Sequence, residues 1–89
     1  MPERTATIAS STGLHARPAK LFVQEVQAKA IPVTISRPDG PALPAGSILS
    51  LLGLGVGHGE TVTLSAEGEG AERVLDELVA FLEIDHDAE

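Results

Sequence analysis

Residues 71–82 carry the clearest helical stripe in the chain. Ala71, Val74, Leu75, Leu78, Val79 and Leu82 recur at steps of three and four, the spacing that lines one face of an α-helix. Such a face must be buried against a second layer. Three short stretches supply one. Arg4–Ala9 alternates weakly, with Ala6 and Ile8 on one side and Thr5 and Thr7 on the other, while Val33–Ser36 and Thr61–Ser65 alternate cleanly. A period of two is that of a strand with one covered face.

A second helical stripe, Ala19, Phe22, Val23, Val26 and Ala30, predicts a helix from Ala16 to about Lys29, which Pro32 cannot continue. Leu21 lies off this stripe and is expected at the surface. Pro38-Asp39-Gly40-Pro41 is a turn signal. A short strand around residues 42–45 should follow, and because Pro41 and Pro44 lack a ladder donor it must be an edge strand or barely a strand. Ser47 is a good N-cap for a short helix, Ile48–Leu54. On that helix Ile48, Leu49 and Leu52 fall in one arc and Leu51 and Leu54 in another. Both arcs cannot easily meet one core, so one is expected to be exposed as a partner surface. Gly53, Gly55, Gly57 and Gly59 alternate through the next loop without a following Lys-Ser/Thr; this is read as flexible turns rather than a phosphate cradle. The sum is an α+β domain in the order βαββαβα, a four-stranded sheet with its helices on one face, occupying residues 1–89 as a single domain.

The core of such a domain must be aliphatic, since Phe22 and Phe81 are the sole aromatic residues, and the absence of Cys removes disulfide and thiol chemistry. Charge is uneven: residues 1–59 hold five Lys/Arg against three Asp/Glu, residues 60–89 one against ten. The acidic balance argues against nucleic-acid binding, and its plain reading is a solvated helix face. No stretch has signal-peptide or membrane-span character, so a soluble cytoplasmic protein without membrane partners is expected.

At the first strand-to-helix junction stands Gly13-Leu14-His15-Ala16-Arg17-Pro18-Ala19. Gly13 can take a positive φ and turn the chain. Pro18 costs little in the first helical turn, where its missing N–H would have lacked an intrahelical partner. The outward N–H groups and the macrodipole of a helix start suit a phosphate. The same field disfavours an imidazolium, so His15 should tend to be neutral and nucleophilic near pH 7. A guanidinium at Arg17 reaches phosphoryl oxygens. Together these groups suit reversible phosphoryl transfer onto the ring. Spacing alone leaves a plainer reading open, a surface His ahead of a helix-starting Pro. Ser10, Ser11 and Thr12 form the turn into the motif, with capping as their ordinary task. His58 reads as a solvated surface residue. Asp85-His86-Asp87 has no second ligand cluster beside it, so no metal and no cofactor is called for.

The seven-residue motif resembles the active-site signature of HPr, the histidine-containing phosphocarrier family of the bacterial phosphotransferase system. Length, element order and the Ser47–Val56 segment fit as well, so the resemblance covers nearly the whole chain. It implies an open-faced β-sandwich whose antiparallel strands run in the order 1-4-2-3. It also implies that His15 is phosphorylated on Nδ1 by Enzyme I, which draws on phosphoenolpyruvate, and passes the group to sugar-specific IIA domains, with Arg17 stabilising the phosphoryl group. The chain is then a relay protein rather than an enzyme, working as a monomer. By the same resemblance Ile48, Leu49 and Leu52, with Ala16 and Lys20, form the surface on which partners dock. In many Gram-positive relatives the Ser matching Ser47 is phosphorylated by an ATP-dependent HPr kinase. Gly46, however, stands where those relatives usually carry Lys, and Gly53-Leu54-Gly55-Val56 is closer to actinobacterial members, in which this regulation is often absent. Helix capping is the alternative task for Ser47. The alternative for the whole chain is a non-covalent anion- or phosphoprotein-binding module, separated from the relay by covalent chemistry at His15.

Overall fold

A computed structural model describes residues 2–11, 13–14, 16–29 and 31–84, with Ala16 described in its backbone alone. The chain runs β1 (Glu3–Thr7), α1 (Ala16–Ala28), β2 (Val33–Ser36), β3 (Leu43–Pro44), α2 (Ile48–Leu54), β4 (Thr61–Ala66) and α3 (Ala71–Leu82). The strands form one sheet in the order β1-β4-β2-β3, antiparallel at every pairing. β4 lies between β1 and β2, opposing Leu64 to Arg4 on one side and to Ile35 on the other.

The period-two pattern decides which face is covered. Ala6, Val33, Ile35, Val62 and Leu64 are buried, as are Ala19, Phe22, Val23, Val26, Leu75, Leu78 and Leu82 from the helices. α3 packs on β1 and β4, and α1 packs against α2 and α3. The two aromatic rings meet inside this layer, Phe22 and Phe81 lying 6.0 Å apart between centroids at 43°. β3 is two residues long and sits at the sheet edge, as Pro44 requires.

Several details differ from the expectations. β1 begins at Glu3 and ends at Thr7 rather than running from Arg4 to Ala9, since the Ala9 N–H turns to the Leu82 carbonyl at 3.1 Å, and β3 is confined to Leu43–Pro44. β4 extends one residue further, to Ala66, whose N–H bonds the Pro2 carbonyl at 3.3 Å. Leu21 is half-buried rather than fully exposed. The glycine loop after α2 is not loose, because ionic and backbone contacts pin it. No helix among the described residues is long and apolar enough to cross a membrane.

Candidate functional site

The site is built where the β1–α1 turn meets the α2–β4 loop. Among the described residues, three backbone bonds tie the entering chain to that loop: Ile8 N–H to the Glu60 carbonyl at 2.9 Å, Gly59 N–H to the Ile8 carbonyl at 2.9 Å, and Leu14 N–H to the Val56 carbonyl at 3.0 Å. Gly13 has φ +77°, and a Cβ there would stand 2.6 Å from the Val56 carbonyl oxygen and 2.7 Å from Gly57 Cα. Only glycine meets both demands. The buried Leu14 side chain then anchors the motif from below, and Pro18 and Ala19, also buried, anchor it on the helix side. Arg17, in the first turn of α1, is exposed. His15 and Thr12 lie outside the described residues, as do Ala30, Asp85, His86 and Asp87, and the side chain of Ala16 is likewise undescribed.

His58 is exposed but not merely solvated. Its Nδ1 lies 3.2 Å from the Ser10 carbonyl, which also accepts the Gly13 N–H at 2.9 Å. With the proton on Nδ1 the ring donates to that carbonyl.

Sequence reasoning missed Arg37 and Glu60. The Arg37 guanidinium donates from Nε to the Leu54 carbonyl at 2.8 Å, from Nη2 to the Gly55 carbonyl at 2.7 Å and from Nη1 to Glu60 Oε2 at 2.7 Å. Gly55 is left-handed, φ 64°, and ends α2. The last carbonyls of a helix lack intrahelical donors, and a cation there also suits the dipole. The other Glu60 oxygen, Oε1, accepts the Gly57 N–H at 2.9 Å. That N–H first, and Arg37 second, hold the Glu60 carboxyl below its ordinary value of 4.5. No local motif marks the pair, because the Arg37 contacts span gaps of 17 to 23 positions.

On the neighbouring surface α2 presents Leu49 at 79% exposure, Leu52 at 43% and Ile48 at 38%, whereas Leu51 is fully buried. Ile48 and Leu52 face Val23, Lys20 and Gln24 of α1 across an apolar groove of about 480 Å³. Leu54 is partly buried against the core. Ser47 caps α2, its Oγ accepting the Ser50 N–H at 3.4 Å. Among the described residues no group of three or more His, Cys, Asp or Glu side chains could hold a metal ion.

The chain matches the family model described as PTS HPr component phosphorylation site over residues 2–83. It belongs to the HPr family. The Phosphocarrier protein HPr of Streptomyces coelicolor is 45% identical over 82 residues, 92% of this chain and 88% of that protein. The Phosphocarrier protein HPr of Haloferax volcanii is 49% identical over 81 residues, 90% and 91% of the two chains. The crystal structure of HPr-C-His from Thermoanaerobacter tengcongensis superposes with a TM-score of 0.85 at 41% identity, over 93% of this chain and 92% of that one. The HPr architecture therefore accounts for the strand order that the apolar periods left open. The family also places the chain among the phosphocarriers of the phosphotransferase system.

Proposed function

We propose that His15 accepts a phosphoryl group from phospho-Enzyme I, charged by phosphoenolpyruvate, and hands it to IIA domains of sugar-uptake systems. The observation that carries this reading is the family match across residues 2–83, which includes the whole Gly13–Ala19 motif. Around the motif the geometry is suitable. The chain is pinned up to Leu14, α1 begins at Ala16, and Arg17 stands exposed in its first turn.

The chemistry follows from these parts. A neutral ring nitrogen attacks phosphorus in line; its bond to phosphorus forms as the N–P bond of the donor phosphohistidine breaks. The Arg17 guanidinium and the helix-start N–H groups take up phosphoryl charge. They must not hold the product too tightly, because the same group leaves in the next step. The chain thus has no turnover substrate of its own. It acts as a monomer in the cytoplasm. Ile48, Leu49 and Leu52, with Ala16 and Lys20, receive Enzyme I and the IIA domain in turn.

Ser47 is assigned to capping, its hydroxyl accepting the Ser50 N–H, rather than to regulation, because Gly46 stands where kinase-regulated relatives usually carry Lys. Phosphoserine at Ser47 after incubation with an HPr kinase and ATP would overturn that assignment.

A chase tests the relay. The chain is charged with labelled phosphoenolpyruvate and Enzyme I, and a IIA domain is then added. Label should leave the chain and arrive on the IIA domain. Label that stays on the chain in the presence of an active acceptor would contradict onward transfer.

A further inference from the structure

We infer that Arg37 and Glu60 are positioning residues for phosphoryl transfer: their ion pair fixes the end of the docking helix and the seat of the phosphoacceptor motif in one rigid register. The inference rests on the reading of His15 and the α2 surface given above.

The path is short and continuous. Arg37 grips the two carbonyls at the C-terminus of α2, those of Leu54 and Gly55. Through Nη1 it holds Glu60, and Glu60 holds the Gly57 N–H. Between these grips lies Val56, fully buried, whose carbonyl receives the Leu14 N–H. Gly57 Cα is one of the two atoms that close off the space beside Gly13. Glu60 adds a second tie, since its own carbonyl accepts the Ile8 N–H at the start of the turn. The Val56 carbonyl and Gly57 Cα, against which residues 13 and 14 are seated from outside their own turn, thus lie within the segment that Arg37 and Glu60 clamp.

The ion pair alone would carry little, because the two side chains are 41% and 44% exposed and exposed pairs contribute weakly. Its weight lies in geometry. A planar guanidinium with donors in fixed directions can hold two carbonyls and a carboxylate at once, which a lysine ammonium cannot do in the same fixed geometry. A partner docked on α2 meets the Gly13–Leu14 entry to the motif in the register this clamp sets. Small misplacement of a reacting group is costly to rate even where binding persists.

The test uses the full chain and four forms of it: wild type, Arg37→Met, Glu60→Gln, and Lys29→Met. The last removes the Lys29–Glu77 ion pair (2.7 Å) near the far end of α1 and controls for a general loss of stability. Single-turnover transfer from phospho-Enzyme I is measured against carrier concentration, with amide hydrogen exchange at Leu14 followed alongside. Arg37→Met should lower the saturated transfer rate roughly tenfold, with half-saturation changed less than about twofold, and Leu14 exchange should accelerate. Glu60→Gln should fall between it and wild type, since an amide oxygen can still accept the Gly57 N–H. Lys29→Met should transfer at the wild-type rate. Wild-type transfer and Leu14 protection in Arg37→Met would overturn the clamp, as would an equal rate loss in Lys29→Met. A wild-type chain that takes no phosphoryl group would instead overturn the reading of His15.

Discussion

Two residues of the motif can be tested separately because they do different work. Gly13 is there for its backbone: φ +77° and two atoms within 2.7 Å of any added Cβ. Gly13→Ala should destabilise by more than the ~1–2 kcal/mol that a left-handed conformation costs an L-residue, read as a lower denaturant midpoint. Arg17 is exposed and should matter for chemistry instead. Arg17→Ala should slow transfer roughly a hundred- to thousandfold, the range for losing one charge-stabilising donor. Its stability should shift by no more than ~0.5 kcal/mol. Unchanged transfer rates would remove Arg17 from the mechanism. The placement of both residues was legible in the sequence, because a glycine at a strand-to-helix turn and a cation in the first helical turn are local signals. Arg37 was not legible. Its partners Leu54, Gly55 and Glu60 come to it only through the fold.

Among the elements, α2 carries the sharpest contrast. Its seven residues hold one fully buried leucine, Leu51, and one that is 79% exposed, Leu49. Leu51→Ala should cost about 2–5 kcal/mol. Leu49→Ser should move stability by less than ~0.5 kcal/mol, while raising the concentration of chain needed to half-saturate Enzyme I. A Leu49→Ser chain with wild-type half-saturation would show that partners dock elsewhere. The helix and its two arcs followed from apolar spacing alone. The loop after it did not: alternating glycines suggest freedom, but freedom depends on tertiary partners, and here Arg37 and Glu60 supply them.

For the molecule as a whole, the apolar periods gave most of the core and every element but β3, which the Pro38–Pro41 turn signal placed. Strand order was another matter. It depends on how the two crossings through α1 and α2 interleave β4 between β1 and β2, and no period encodes that. Charge gives a further whole-molecule prediction. The Glu60 carboxyl is held below 4.5 by the Gly57 N–H and Arg37, and the Glu77 carboxyl by its hydrogen bond and attraction to Lys29. A depressed carboxyl contributes stability that is fully present above the unfolded value and is lost as pH falls through the folded one. Stability should therefore be flat near neutrality and fall below about pH 4.5. The fall should be shallower in Lys29→Met and Arg37→Met, which a denaturant midpoint followed against pH would register.

The relay claim is tested most directly by intact-mass measurement after incubation with phosphoenolpyruvate and Enzyme I, beside a His15→Ala chain. The account predicts an acid-labile gain of one phosphoryl group in the wild-type chain and none in the variant. A gain that persists in His15→Ala would place the phosphoryl group elsewhere. No gain in the wild-type chain, with an Enzyme I that charges another carrier, would contradict the account.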